Sequence, residues 1–393
     1  MDRIELVPRY EGQGYSEEQI AARRAWVEAR RGVSLPLLGS AGVEGEALRG
    51  NIENPIGMAQ VPVGLAGPLL VKGEHLEEVV YVPLATTEGA MVRSYERGMV
   101  AITRSGGAVA RVLRDENRVT PVFLCRDAAA AADFARWLPG ELATLQREAE
   151  ATTGHGRLLR VEPIANGLQV LVHFVYSTGD AHGMNMIVKA TEAACRWIEA
   201  SGRIERHLIL SGASGEKRPA GALFAGGKGK TVTASVRLPR RVLRAALRVT
   251  ARQMEELWRL TVLGHLHTGT LGYNGQAANG LTALFIACGQ DVANVVNSAV
   301  AVSSFAEVGD GDLEASVQLP SLTVATVGGG TGLGTGRECL ELLGCYGSGK
   351  ARRLAEIAAA LVLAGDLSMG AAIASGEFVA AHEEYGRNRP ESP

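Results

Sequence analysis

Leu158-Leu159-Arg160-Val161-Glu162-Pro163-Ile164-Ala165-Asn166-Gly167-Leu168-Gln169-Val170-Leu171-Val172-His173-Phe174-Val175-Tyr176 is the stretch on which the fold turns. Residues 158–165 and 168–176 alternate in polarity on either side of Asn166-Gly167, the preferred two-residue hairpin turn. Upstream, 118–124 reads as a strand and 126–152 as helix divided by Pro139-Gly140. Downstream, a helix over about 184–201 leads to a short apolar strand at 207–210. The order β-α-β-β-α-β is that of a split βαβ, ferredoxin-like unit. It is expected to form a small domain, 118–210, inserted into a larger one.

Before this unit, Ser16 and Gln19 make a capping-box pattern, and 20–31, closed by Gly32, reads as an amphipathic helix in an N-terminal arm, 1–50. Residues 50–70 are punctuated by Asn54-Pro55, Pro62 and Gly67-Pro68, which favours strands and loops. After the unit, 231–238 looks like a strand and 239–260 like one long helix. The helix at 277–288 is apolar nearly all round and belongs in the middle of a domain. A strand region, 313–327, runs into Gly328-Gly329-Gly330-Thr331-Gly332, and the chain from Arg337 is helical and Ala-rich. The expected fold class is α+β or α/β. A large mixed domain, 51–117 with 211–375, surrounds the central apolar helix, and 376–393 forms a C-terminal segment.

A chain of 393 residues, 46% hydrophobic, is long enough to bury a full core. Forty basic side chains against forty-two acidic ones leave a formal charge of −2 without long single-sign blocks, which argues against nucleic acid or a membrane surface as partner. Met1-Asp2-Arg3-Ile4-Glu5 has no apolar signal core, and the longest apolar runs read as cut by Gly or charge short of a membrane span. A cytoplasmic protein is expected. The five cysteines (Cys125, Cys195, Cys288, Cys339, Cys345) show no metal-type pairing and suit reduced, buried thiols.

Several segments carry candidate chemistry. Pro83-Leu84-Ala85-Thr86-Thr87-Glu88-Gly89 sets one carboxylate among small residues after an apolar run, and desolvation there would raise Glu88 toward the range of a proton donor. The Gly-rich run from Gly328 does not fit G-x-G-x-x-G, because the third glycine falls on Leu333 or Thr335. Gly229-Lys230-Thr231 resembles the end of a P-loop whose first glycine would be Phe224. His265 and His267 lack a Cys or carboxylate to complete a metal set, so no metal is expected. Gly215-Glu216-Lys217-Arg218-Pro219 reads either as a surface loop or as an anion and carbonyl site, since a lysine ammonium polarises a carbonyl oxygen. Gly289-Gln290-Asp291 places a lone carboxylate after the apolar helix; if buried it needs a partner, and Lys217 would serve. His382, near the chain end, reads on its own as a helix-surface histidine.

Taken together, these segments resemble the 3-hydroxy-3-methylglutaryl-CoA reductase family over roughly residues 50–388. Glu53-Asn54-Pro55-Ile56-Gly57 through Pro62-Val63-Gly64-Leu65-Ala66-Gly67-Pro68-Leu69 looks like its first signature, and Ala85-Thr86-Thr87-Glu88-Gly89 like its catalytic glutamate motif. Asp180-Ala181-His182-Gly183-Met184-Asn185-Met186 is similar to its cofactor motif, differing at His182. Gly289-Gln290-Asp291 and Thr326-Val327-Gly328-Gly329-Gly330-Thr331 match as well.

The resemblance implies a homodimer or higher homo-oligomer, NADPH (or NADH) bound by the small domain without a Rossmann motif, an acyl-CoA substrate, and a mobile C-terminal flap. The catalytic positions fall on Glu88, Lys217, Asp291 and His382. Lys217 supported by Asp291 would stabilise the oxyanion, His382 protonate the departing thiolate, and Glu88 give the proton to the aldehyde. Substrate contacts fall on Ser211, Glu216, Arg218, Arg259 and Asn279. Cofactor contacts fall on Ser94, Arg97, Asp180, Met184, Asn185, Gly328, Gly329, Gly330 and Thr331. The Met-Asn-Met form is nearer to the NADPH-using, eukaryote-like class. Where the family has an arginine that holds the substrate carboxylate, this chain has Leu124, and Asn274-Gly275-Gln276 replaces Asn-Ala-His. These changes leave a second reading, a reductase for another acyl-CoA or carrier-protein thioester.

Overall fold

The computed structural model describes Pro8 and residues 16–31 and 44–379. In chain order, α1 (Glu17–Arg31) precedes the hairpin of β1 (Val63–Lys72) and β2 (Glu77–Ala85), then α2 (Met91–Arg104), β3 (Ala108–Val119) and β4 (Val122–Leu124). There follow α3 (Ala128–Trp137), α4 (Leu142–Glu150), β5 (Arg157–Asn166), β6 (Gln169–Ser177), α5 (Met184–Ala200) and β7 (Arg206–Leu208). The chain continues with β8 (Gly229–Leu238), α6 (Arg240–Val242), α7 (Ala251–Thr268), α8 (Ala277–Ala287) and α9 (Val295–Ser298). It closes with β9 (Val302–Val308), β10 (Asp312–Leu322), α10 (Gly334–Leu342) and α11 (Ala351–Ser375).

The ten strands form one mixed, largely antiparallel sheet in the order β7-β4-β6-β3-β8-β10-β9, with β5 on β6 and the β1–β2 hairpin attached to β3. β3 is the seam. Its Val109–Glu116 portion pairs with β8, while Asn117, Arg118 and Val119 pair with Tyr176, Val175 and Phe174 of β6. Two hydrophobic clusters flank the seam. One packs Phe123, Phe134, Phe174 and Ile187 between β4, β5, β6 and the helices α3, α4 and α5. The other surrounds α11.

Local chemistry explains where the structure departs from the sequence reading. The strand expected over 118–124 ends at Val119 and restarts at Val122, because Pro121 has no N–H for the ladder. The hairpin turn sits one residue later than expected: Asn166 pairs with Gln169, so the loop is Gly167-Leu168, with Gly167 alone left-handed at φ 62°. A glycine at the first loop position is the type II′ pattern. The single helix expected over 239–260 is broken at Arg248, itself left-handed at φ 59°, and restarts at Thr250. There Thr250 and Gln253 form a reciprocal capping box that begins the next helix.

The central helix is α11 rather than α8. Every residue of α11 from Leu354 to Ser368 is buried. By length and composition it is the one helix among the described residues that could cross a membrane, and 83% of its most apolar window lies inside the protein. Its charges do not cut it short, because each is satisfied internally: the Glu356 carboxylate accepts from the amides of Glu74 and His75 at 2.9 and 3.0 Å in the β1–β2 turn. Gly98 of α2 lies against the α11 backbone, where an added methyl would collide with the Ala364 carbonyl. Gly98→Ala should therefore force the helices apart and lower the unfolding free energy by about 2 kcal/mol in urea denaturation; an unchanged midpoint would show that this contact is not constraining.

Candidate active site

The first group of functional side chains gathers where the β7–β8 connection meets the loop after α8. Lys217 adopts a left-handed backbone, φ 52°, which a non-glycine residue holds only when its surroundings enforce it. Its amide donates to Asn297 Oδ1 at 3.3 Å, and Asn297 is itself fixed by donating to the Ser321 carbonyl and Thr323 Oγ1, each at 3.0 Å. The Lys217 ammonium then lies 2.8 Å from Asp291 Oδ2. The pair is nearly half exposed, at 44% and 43%, rather than buried. Such a pair contributes little stability and instead orients an ammonium that is open to a ligand.

Asp291 is placed by a backbone contact. Gly289 and Gly330 lie face to face, so that a side chain on Gly289 would strike the Gly330 carbonyl. The loop holding Asp291 is thereby seated on the glycine-rich turn Gly329–Gly332. Asp291 also accepts from the Ala293 amide at 3.2 Å.

The second group lines a cavity of about 540 Å³ that includes Glu88, Ser94, Arg97, Arg248, Gln276 and Asn279. Glu88 is exposed at its rim, so the desolvated setting expected from its neighbours does not hold in the single chain: Val82 and Leu84 turn into the core and the chain emerges at Thr87-Glu88. Its amide donates to Thr86 Oγ1 at 3.0 Å, and Ala90, left-handed at φ 68°, turns the chain into α2. From α2, Ser94 donates to Ser368 Oγ at 3.1 Å and Arg97 Nε reaches the same oxygen at 3.0 Å. Glu377 stands between two guanidinium groups, 2.8 Å from Arg248 and 3.8 Å from Arg97. Behind Gly275 and Gln276, Asp366 is buried and accepts from Ser303 and from the amides of Gly275 and Gln276 at 3.1 and 2.7 Å. Burial pushes this carboxyl up to about 6, against the opposing pull of those donors.

The segments expected to face a dinucleotide adjoin one another. The Thr326 amide donates to the Asp180 carbonyl at 2.9 Å, which joins the loop entering Gly328–Thr331 to the segment containing Met184 and Asn185. The Asp180 carboxylate is occupied structurally, accepting from Gly349 and Ala351 at 2.7 and 3.0 Å at the start of α11. Although burial opposes it, these amides hold Asp180 below the ordinary carboxylate range. Met184 Sδ receives Lys228 at 3.4 Å, Asn185 is exposed, and Thr331 donates to the Gly328 carbonyl at 2.7 Å.

Among the expected substrate residues, Ser211 donates to the Thr120 carbonyl at 2.6 Å and Arg218 to the Glu216 carbonyl at 3.1 Å. Arg259 is exposed on α7, and His382 lies outside the described residues. Asn279 lines the cavity at one end of α8, while Asp291 and Lys217, absent from that lining, meet beyond the other. Eleven residues of helix separate the two ends, about 16 Å. Four contributors escaped the sequence reading: Lys228, Asn297, Asp366 and the ring of His182. Lys228 and His182 stood in segments weighed there, His182 only as a departure from the cofactor motif, and the burial of Lys228 has no signature in Gly226-Gly227-Lys228-Gly229.

The family model described as hydroxymethylglutaryl-coenzyme A reductase matches residues 19–387. The chain belongs to this family. It is an oxidoreductase by that membership. The 3-hydroxy-3-methylglutaryl-coenzyme A reductase of Methanothermobacter thermautotrophicus is 40% identical over 374 residues, covering 94% of each chain. That of Haloferax volcanii is 43% identical over 372 residues, covering 93% of this chain and 92% of the other. The fold is shared with the reductase of Streptococcus pneumoniae, TM-score 0.68 at 22% identity, over 93% of this chain and 99% of that one. A class II enzyme of the same organism, solved bound to NADPH in open conformations, superimposes with TM-score 0.67 at 23% identity over 90% and 86% of the chains. These likenesses do not support the eukaryote-like class suggested by Met-Asn-Met.

The buried carboxyl of this reductase-family chain gives a pH signature. Asp366 titrates in the folded state at about 6, above its unfolded value of about 3.9. Its contribution is therefore fully present below that lower value and lost as pH rises through the folded one. Asp366→Asn keeps acceptor and shape without the charge. The stability of the wild type relative to Asp366→Asn should fall by about 2 kcal/mol from pH 4 to pH 7; a difference that stays flat would contradict the assignment.

Proposed function

We propose that this chain reduces (S)-3-hydroxy-3-methylglutaryl-CoA to mevalonate and free CoA at the expense of two NADPH. The observation that carries the reading is the Lys217–Asp291 pair, an ammonium held by a strained turn at an open site. The ground above Gly328 and Gly329 is open, with no atom within 4 Å of an added side chain, and it adjoins the Asp180–Asn185 segment. That combination suits a dinucleotide laid across small residues. NADPH bound there supplies the hydride for each reduction.

Lys217 faces the carbonyl oxygen and stabilises the negative charge that each reduction places on it, with Asp291 fixing its direction. The carbon–sulfur bond then breaks and His382 gives the thiolate its proton. After the aldehyde is reduced, Glu88 protonates the alkoxide. The acyl carboxylate still finds a guanidinium: Leu124 of β4 is the register partner of Arg206 of β7, so the two side chains share one sheet face, and Arg206 is exposed.

A second copy of the chain is part of this proposal. The two residue groups lie at opposite ends of α8, and α7 exposes Leu260, Leu263 and Leu266 at 56%, 62% and 57%. A partner over this face would cover the apolar stripe and bring one chain's Glu88 group toward the other's Lys217. Sedimentation should show a dimer that Leu263→Glu dissociates; a monomeric wild type would end this part of the reading. We place the reaction in the cytoplasm, where the five free cysteines stay reduced.

The assay follows NADPH oxidation with hydroxymethylglutaryl-CoA and with acyl-CoAs lacking the carboxylate. Lys217→Ala should lower kcat by about a thousandfold, and Arg206→Ala should raise KM for the carboxylated substrate by about tenfold. Turnover of an uncarboxylated acyl-CoA with none of hydroxymethylglutaryl-CoA would replace this reading by a reductase of another acyl thioester, which Leu124 and Gln276 favour.

A further inference from the structure

Lys228 is a fully buried lysine beside the active site, and its ammonium joins three segments of the chain. It pairs with the Glu216 carboxylate, donates to Asn117 Oδ1 at 2.6 Å and reaches Met184 Sδ at 3.4 Å. A buried ammonium is tolerable only with such compensation. The Nε2 of His182 lies 3.5 Å from Glu216 Oε1, is itself buried, and has no hydrogen-bond partner within normal range. The ring is closed by Asn117, whose Nδ2 donates to the His182 carbonyl at 2.8 Å. Burial alone would raise the Glu216 carboxyl, yet His182 and Lys228 hold it down at about 2.

The position of this closed ring in the chain matters. Glu216 immediately precedes Lys217, whose left-handed turn has two anchors: the Asn297 contact to its own amide, and the Glu216 side chain held by buried Lys228. His182 immediately precedes Gly183, itself left-handed at φ 71°, and Met184 at the start of α5. The His182–Glu216 contact is thus the direct side-chain link between the proposed dinucleotide segment and the turn that aims the ammonium. At 3.5 Å it is also the loosest contact in the ring, and so the one that a small shift of the 180–185 segment closes or opens.

We propose that His182 is a positioning residue that couples the dinucleotide segment to Lys217 through Glu216, so that the ammonium is set in place when NADPH binds. The inference rests on the proposed dinucleotide site but not on the identity of the acyl group. Lys228 and Asn117 form the fixed side of the coupling, and His182 the side that responds. The link acts on the placement of a charge rather than on affinity, so its loss falls on kcat more than on KM.

The test uses the full chain as wild type, His182→Leu and His182→Gln, with His182→Ala replacing the leucine variant should circular dichroism show that it does not fold. Hydrogen exchange of the Glu216, Lys217 and Arg218 amides is followed with and without NADPH. NADPH should slow exchange in the wild type and in His182→Gln, which keeps a donor toward Glu216, and leave it unchanged in His182→Leu. In turnover, His182→Leu should lose about tenfold or more in kcat with KM for NADPH nearly constant, and His182→Gln should recover most of it. Protection that persists in His182→Leu, or is lost equally in His182→Gln, overturns the coupling, as does a wild type whose 216–218 amides ignore NADPH. NADPH-dependent protection without turnover of hydroxymethylglutaryl-CoA would remove the proposed substrate and leave the coupling standing.

Discussion

The burial of α11 is the constraint on which the rest of the molecule depends. A helix whose residues from Leu354 to Ser368 are all out of water must satisfy every polar group it carries within the protein, and each one it carries fastens something else. Glu356 holds the β1–β2 turn, Asp366 holds the Gly275-Gln276 backbone under the cavity, and Ser368 receives Ser94 and Arg97 from α2. Its first turn is capped from a distance by Asp180. The apolar faces supply the cohesion, while these few polar outlets set where the site's walls stand.

The same economy governs the buried charges near Lys217. Lys228, Glu216 and Asn117 compensate one another only if three separate stretches of chain arrive together, so their arrangement specifies a geometry even where it adds little net stability. The strained backbones at Lys217 and Ala90 sit in the two groups of candidate site residues. Strain of this kind persists where neighbours over-determine it, and here the neighbours are Asn297 on one side and the packed start of α2 on the other.

Much of the fold was legible because its signals are local. Period-two alternation about Asn166-Gly167 marks β5 and β6, and Pro139-Gly140 marks the break between α3 and α4. The exact turn position was not legible, since Asn166 and Gly167 both tolerate a left-handed backbone and only the ladder decides which uses it. The break before α7 was present in the letters as Thr250 and Gln253 but was overshadowed by an unbroken helical composition. The centrality of α11 was hidden because Glu356 and Asp366 look like solvent-facing charges until their partners, hundreds of residues away for Glu356, are known. In the site, opposite charges made the meeting of Lys217 with Asp291 foreseeable. The burial of Lys228 was not, as Asn117 lies 111 residues away in sequence. The exposure of Glu88 has no local signal, because its apolar neighbours bury their own side chains without taking the carboxylate with them.

The seam at β3 has a mechanical meaning. One strand carries the ladder of β8 along most of its length and hands it to β6 over its last residues, so the two hydrophobic clusters are joined by continuous backbone hydrogen bonding rather than by a flexible tether. Any rotation of the β4–β7 portion against the remainder must be accommodated as torsion of that shared ribbon, near Asn117 and Arg118. Torsion is distributed and elastic where a linker is free, so such a movement would store a restoring force and return the molecule to its starting pose once a ligand departs.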